Sequence, residues 1–598
     1  MTHQPSRKTR SRRRKFSRFW RAFWQDTSAL WREFRRPVLT FLIATLIGGF
    51  IYGELRVIAG QERMAYADLP YAMIQLMTLQ GIPEEQAPEE LYLVAFWYLM
   101  PMIGLYLIGR GAVDFVRVFF NRSERRRAWE EALASTYRQH IIVLGIGNVG
   151  LRVIHTLDDM GFEVVAIDNR SLSPTRMQDL RGRGVPLIIG EGSSQVTLEK
   201  AQIAEADALV VCTSNDLINL TVTIRARDIN PHVRIVVRMW DHRLRAQLKD
   251  YLGVEVLSAS ELAAPAFAGA GFGVDIAQTL EVGATQYSVF RLTIRAGSLF
   301  AGQTIRALQN DNDMDIVLHE RAGRVQVHPE HDLQVCPDDE LVIFARHQQI
   351  RDLVMQNRHA IHQYRNGDQQ QRHVVVVGVG NVGLRVTRAL CAIGLPVVAV
   401  DQRLGGERRD ELKDLNVRVI TADGSHATTL EQADLANAQA IIVCTSDDLV
   451  NLTVAVLARD INPNLRIVVR MWDDRIANQL KRHLGVAAVL SASELAAPAF
   501  AGAAFGVSIA QTLEIEGTRY SVFRMTVEPG SQLEGDRVEH LEHIHQMDIV
   551  LCERNGIVDV HPDHDNIVRA GDTLILFAQH VQLTQLVANN RRREILRP

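Results

Sequence analysis

Three glycines with the spacing Gly145-x-Gly147-x-x-Gly150 follow the apolar run Ile141 to Leu144, and an aspartate, Asp168, stands 18 residues beyond the last of them. Such a turn suits phosphate chemistry. It opens a helix whose first backbone amides, here around Asn148 and Val149, are free to donate, and the helix dipole favours an anion there. A carboxylate about 20 residues on accepts hydrogen bonds from adenosine ribose hydroxyls, the role expected of Asp168, with Asn169 and Arg170 beside it. The spacing alone is a weak signal, but a strand before it and a helix after it strengthen it.

The whole arrangement recurs. His140 to Val153 reappears 233 residues later as His373 to Val386, with Gly378, Gly380, Asn381, Val382 and Gly383 in the turn, then Asp401, Gln402 and Arg403. Arg234 to Trp240 is identical to Arg466 to Trp472, and Leu257 to Phe267 to Leu490 to Phe500. Repeats this long are whole domain pairs, so the chain carries a tandem duplication. Arg170 and Arg403 would suit a ribose 2'-phosphate, but the retained aspartates argue for an unphosphorylated ribose.

The elements that must position these residues are short, nearly all-apolar strands alternating with helical stretches. That pattern describes a parallel sheet covered on both faces, a Rossmann-type unit. The expected domains are two such units, 139–275 and 373–508, each followed by a small α+β lobe, 283–350 and 516–588, with the Gln-, His- and Arg-rich residues 358–372 as a linker. His540, His543 and His545 with Glu539 and Glu542 are read as a solvated turn rather than a divalent-ion site. His331 and His564, which recur in His-Pro-acid-His-Asp sequences, are read as satisfied turn residues.

Ahead of the duplication the chain changes character. Residues 1–36 are crowded with Arg and Lys interleaved with Phe and Trp, although the net charge of all 598 residues is only -3. A cytoplasmic amphipathic segment lying on anionic lipid is expected, with no nucleic-acid partner. Pro37 to Gly53 and Leu91 to Ile108 carry no charge, so an α-helical membrane domain, 37–118, with two spans is expected. Arginines flank the outer side of both, which places the N-terminus and the duplicated modules in the cytoplasm of a cell membrane protein. Five cysteines in so long a chain make no disulfide framework.

Between the spans, the apolar stretch 69–82 ends at Thr78, Leu79, Gln80, Gly81 and Ile82, ahead of a Glu-rich stretch. Span, re-entrant segment, span resembles the pore domain of two-transmembrane-helix potassium channels, with Gly104 as the inner-helix hinge. Only Thr78 and Gly81 match that family's Thr-X-Gly-Tyr-Gly filter, so modest discrimination between potassium and other monovalent cations is expected.

The duplicated part resembles the regulator-of-potassium-conductance (RCK) domains, with their TrkA-N and TrkA-C parts. Beyond the glycines, Gly190-Glu191-Gly192-Ser193 and Ala422-Asp423-Gly424-Ser425 resemble that family's Gly-Asp-Ala turn, with Glu191 departing from it in the first copy. Cys212-Thr213-Ser214-Asn215-Asp216 and Cys444-Thr445-Ser446-Asp447-Asp448 match a strand end that contacts ribose or phosphate, and Arg238 and Arg470 match a basic position that reaches phosphate. Pro337 to Glu340 and Arg569 to Asp572 resemble the start of the final strand of the C-terminal lobe.

The resemblance implies an adenine nucleotide (NAD(H), ATP or ADP) as ligand and a homotetramer with an eight-lobe cytosolic ring. It implies a nucleotide-gated cation channel of the potassium class. A membrane-tethered, non-conducting regulator of a separate potassium transporter is the second reading. A dinucleotide-dependent oxidoreductase would need a catalytic domain that the sequence does not display, so no enzyme is expected.

Overall fold

A computed structural model describes residues 39–78, 90–120, 129–169, 172–240, 245–282, 285–358, 372–515, 517–579 and 582–590. The basic segment 1–36, Leu79 to Ile82 of the expected filter, Arg170 and nearly all of the linker lie outside the described residues. The chain separates into two compact units, one built on residues 1–138 and the other on most of the remainder.

The described residues of the first unit include the helices α1 (Leu39–Ile58), α2 (Leu69–Met77) and α3 (Leu91–Phe120). Only α1 is long and apolar enough, among the described residues, to cross a membrane by itself. Its 20 residues reach about 30 Å at 1.5 Å per residue. The second expected span lies in α3, whose described apolar part is Leu91–Leu107. Helix α2 starts with Pro70 in its first turn, where a missing N–H costs nothing. It buries Met73, Leu76 and Met77 against Tyr52, Leu93 and Met100. Gly104 is not a bare hinge: a Cβ on it would lie 2.3 Å from the Met77 carbonyl oxygen, so its small size lets α3 lie against the end of α2.

In the second unit each copy forms a six-stranded parallel sheet. The order is β3-β2-β1-β4-β5-β6 in the first copy, with β1 (Ile141–Leu144), β2 (Val164–Asp168), β3 (Leu187–Ile189), β4 (Ala208–Val211), β5 (Arg234–Arg238) and β6 (Glu255–Leu257). The reversal of strand order lies between β1 and β4, and helices α4 (Asn148–Asp159) and α5 (Asp216–Ile229) start there, at the carboxyl ends of those strands. The second copy repeats this order with β12 (Val374–Val377), β13 (Val397–Val400), β14 (Arg418–Ile420), β15 (Ala440–Val443), β16 (Arg466–Arg470) and β17 (Ala488–Leu490), and with α7 (Asn381–Ala392) and α8 (Asp448–Ile461) in the equivalent places.

Each Rossmann unit leads into an antiparallel five-stranded lobe, β7 (Asp275–Val282), β8 (Thr285–Thr293), β9 (Met314–Arg321), β10 (Arg324–Val327) and β11 (Glu340–Arg346) in the first copy, and β18 (Ser508–Ile515), β19 (Thr518–Thr526), β20 (Met547–Arg554), β21 (Ile557–Val560) and β22 (Thr573–Gln579) in the second. The lobes begin earlier than sequence patterning suggests, at Asp275 and Ser508, because the first strand of each hairpin pairs along its length with the next.

The two copies are not beads on a string. Helix α6 (Ala259–Phe272) follows β6 but packs on the second copy, placing Ala263, Phe267 and Ala270 in one core with Val374, Val382 and Ile442. Its counterpart α9 (Ala492–Ala504) packs reciprocally against α4, β4 and β5 of the first copy. Beyond its first turn, which carries the exposed Glu261, the sequence of α6 is apolar on every side, which suits a helix enclosed by neighbours. Gly271 approaches so closely that a Cβ would stand 2.6 Å from the Ile442 Cδ1 methyl. Phe162 and Phe505 stack across the same junction, ring centroids 4.8 Å apart. The lobes also share a core, in which Leu280, Val289, Val317 and Phe344 meet Leu513, Val522, Val550 and Phe577.

Candidate functional site

The glycine turns are shaped by contacts that only glycine permits. Gly145 and Gly378 have φ of +89° and +85°, the left-handed region that side chains disfavour. A Cβ on Gly150 would fall 2.1 Å from the Gly145 carbonyl oxygen, and on Gly383 1.9 Å from that of Gly378. Gly147 and Gly380 differ. Their φ values are ordinary, at -77° and -73°, and a Cβ on either would meet open space. Among the described residues nothing requires glycine at these N-caps, and the first-turn amides, which no cap side chain occupies, are open to close approach by a ligand.

Asp168 and Asp401 end β2 and its counterpart β13 (Val397–Val400), as the spacing requires, but part of each carboxylate serves the fold. Asp168 Oδ2 accepts from the Ile146 amide at 2.7 Å, and Asp401 Oδ2 from the Val379 amide at 2.6 Å. Each aspartate thereby ties the glycine turn to the neighbouring strand. Asp401 Oδ1 also accepts from the Arg403 amide at 2.8 Å. A carboxylate has about four acceptor positions, so contact with a ribose hydroxyl is compatible with these bonds.

Two arginines absent from the sequence reading complete this side. Arg176 donates to the Ile146 carbonyl and Asn148 Oδ1, at 3.1 and 2.5 Å, and Arg408 donates to the Val379 carbonyl and Asn381 Oδ1, at 3.4 and 2.8 Å. Both come from the helix after the aspartate, and both hold a cation beside the helix N-terminus where phosphate is expected. Their equivalence across the repeat was the available signal.

The Gly-Asp-Ala-like turn divides its work. Gly192 and Gly424 are packing residues, since a Cβ would lie 2.2 Å from Leu144 Cδ1 and 2.5 Å from Val377 Cγ1. Asp423 accepts from the Ser425 amide and hydroxyl, which holds its carboxyl below the usual range, and Gln402 reaches it at 3.4 Å. Glu191, exposed, accepts only from Ser193 among the described residues. Asn169 is also exposed.

The opposite wall corrects one expectation. Asp216 and Asp448 are engaged by backbone: both oxygens of each accept from the Trp240 or Trp472 amide at 3.0 to 3.2 Å. They fasten α5 and α8 to the next strand. Asn215 and Asp447 cap those helices. Thr213 and Thr445 donate to Asn219 and Asn451.

Arg238 and Arg470 remain as chemistry. Each lies over its tryptophan, 4.3 and 4.4 Å from the ring centroid, and each donates to a strand-end carbonyl, Cys212 or Cys444. Their buried Nε atoms find no partner among the described residues, and burial pulls both guanidiniums below the usual arginine range. A buried arginine without a paired carboxylate is a ready partner for an anion. The adjacent Cys212 and Cys444 thiols are pushed up to about 12 by burial, which keeps them protonated and poor nucleophiles. Open N-caps, two cations and a turn-anchored carboxylate in each copy thus fit the phosphates and ribose of a nucleotide.

Residues 141–258 and 374–492 match the TrkA-N domain. Both TrkA-N segments coincide with the six-stranded parallel sheets. The chain is 22% identical to a Trk system potassium uptake protein TrkA homolog of Archaeoglobus fulgidus over 452 residues, which cover 75% of this chain and 98% of the relative. It is 25% identical over 226 residues to the TrkA homolog of Pyrococcus abyssi, covering 36% of this chain and 95% of that one. In fold, a structure described as the GsuK channel bound to NAD superposes with a TM-score of 0.55 at 18% identity, across 95% of this chain and 99% of that chain. A second GsuK channel structure gives 0.57, across 94% and 99%.

Proposed function

We propose that this chain is a membrane cation channel of the potassium class, with a non-standard filter, whose two TrkA-N segments each bind an adenine nucleotide and so set the state of the pore. The observation that carries this reading is the shared fold, which runs through the helical unit as well as both copies, with a protein described as a channel bound to NAD. The exposed apolar side chains of α1 and α3, among them Leu42, Ile43, Leu46, Ile47, Leu99 and Leu105, support burial of that unit in lipid or against further subunits. In this reading both helices span the membrane, the modules are cytoplasmic, and four chains join through their eight lobes in one ring. Nucleotide acts by binding the open and closed rings with different affinity, since equal affinity shifts nothing. The sites regulate and do not catalyse.

One observation favours the second reading, a tethered and non-conducting regulator of a separate transporter. The Archaeoglobus relative named for Trk potassium uptake aligns over nearly its whole length, and among the described residues α1 alone has the length and composition of a span. Flux from liposomes separates the two. Purified protein with NAD(H), ATP or ADP should pass monovalent cations, and Gly81→Ala or neutralisation of Glu84 and Glu85 should alter the flux. Absence of any cation flux with nucleotide bound would establish the tethered regulator instead.

A further inference from the structure

The lobes bring together side chains that lie 233 positions apart. His328 and His331 of the first lobe meet His561 and His564 of the second: the His328 and His561 rings stack 5.6 Å apart at 5°, and His331 and His564 stand edge-on to them. The expectation of separate, satisfied turns is therefore overturned. The histidines His540, His543 and His545 are not part of this cluster, but Glu542, from the helix Val538–His545, is: its Oε2 lies 3.5 Å from His564 Nδ1.

Two buried aspartates stand behind the rings, and they cross between lobes. His328 Nδ1 lies 3.2 Å from Asp548 Oδ1, and His561 Nδ1 lies 3.2 Å from Asp315 Oδ1. Asp315 and Asp548 are 1% and 0% exposed, and the Oδ2 atom of each finds no partner among the described residues. A carboxylate behind Nδ1 fixes the imidazole so that Nε2 carries the free lone pair, the usual second layer of a metal–histidine site. Donor atoms of His328, His331 and His561 lie within 4.8 Å of one another, as do those of His328, Glu542 and His564 and those of Asp315, Asp548 and His561. His328 and His561 hold φ of +52° and +57°, an uncommon conformation for histidine that the fold maintains at both equivalent positions.

We propose that this cluster binds a divalent transition-metal ion of the zinc class at the junction of the two lobes, with His328, His331 and His561 as three ligands and Glu542 or His564 as the fourth. Imidazole nitrogens select such ions, whereas calcium and magnesium take mainly oxygen ligands. Neither lobe supplies the site alone, so the ion joins them.

Full-length protein in detergent, stripped with a chelator, should take up about one Zn2+ per chain with a rise in melting temperature. Co2+ in its place should give the intense visible absorption of a tetrahedral site. His328→Ala with His561→Ala should weaken Zn2+ uptake at least tenfold and abolish the cobalt bands, while His540→Ala changes neither. Asp548→Asn, which keeps side-chain volume, should weaken uptake about 10- to 100-fold without unfolding the lobes. Zn2+ uptake no greater in the wild type than in the double-histidine variant, or equal cobalt spectra, would overturn the proposal. None of these readouts depends on nucleotide or ion flux.

Discussion

Arg385, on the helix that leaves the second glycine turn, donates through Nη2 to the carbonyl of Trp240, beside the phosphate-side arginine of the first copy, at 3.3 Å. Reciprocally, Arg152 on the first such helix lies 3.5 Å from Glu494 of the second copy's exchanged helix. The N-terminal helix of each candidate site therefore touches the other copy. Ordering one site by a ligand bears directly on the second. Occupying the second site should change nucleotide affinity at the first by about fivefold, on the order of 1 kcal/mol of coupling. Arg385→Ala should reduce this coupling while both sites still bind. Calorimetric titrations with the second site disabled by Asp401→Ala provide the comparison.

The two kinds of glycine should behave oppositely on substitution. Gly147→Ala and Gly380→Ala introduce a methyl into open space at ordinary φ, so melting temperature should hardly move while nucleotide affinity falls. Gly150→Ala and Gly383→Ala drive a methyl onto a carbonyl oxygen and should destabilise the protein by roughly 1–3 kcal/mol. Unchanged affinity in the first pair would mean that no ligand approaches those amides.

Arg176→Ala and Arg408→Ala should weaken nucleotide binding about 10- to 100-fold, as loss of a charge-assisted phosphate contact at 1.5–3 kcal/mol predicts. Asp168→Ala and Asp401→Ala should weaken it too, with a loss of stability because the turn loses its anchor. Equilibrium dialysis with NAD(H), ATP and ADP would rank the ligands in the same experiment.

The helix exchange carries its own test. Gly271→Ala should lower the melting temperature through its clash with Ile442, and Ile442→Val in the same chain should restore part of the loss, because the added methyl then has somewhere to go. If the two effects simply add, the helix does not pack where the structure puts it.

Leu217 and Leu449 are 72% and 70% exposed at equivalent positions on α5 and α8, each with an exposed apolar residue two turns on, Ile224 and Val456. An apolar stripe repeated in both copies fits a contact between chains. Leu217→Asp with Leu449→Asp should give smaller particles in light scattering while leaving nucleotide affinity intact. Particles of unchanged mass would exclude these faces from the assembly.

The sequence by itself determined the local parts. The apolar strands, the glycine turns and the aspartates at Asp168 and Asp401 are set by periodicity, steric need and spacing within some 30 residues, and the duplication made them visible twice. Contacts between distant segments were decided only by tertiary structure. Asp216 and Asp448 look like ligand carboxylates until Trp240 and Trp472 amides occupy them, and Gly104 looks like a hinge until Met77 packs against it. The exchange of α6 and α9 leaves no local mark beyond helices that are apolar past their first turn. Two His-Pro-acid-His turns read separately are two satisfied turns; a shared apolar core presses their lobes together, and only then do four imidazoles and three carboxylates face one another.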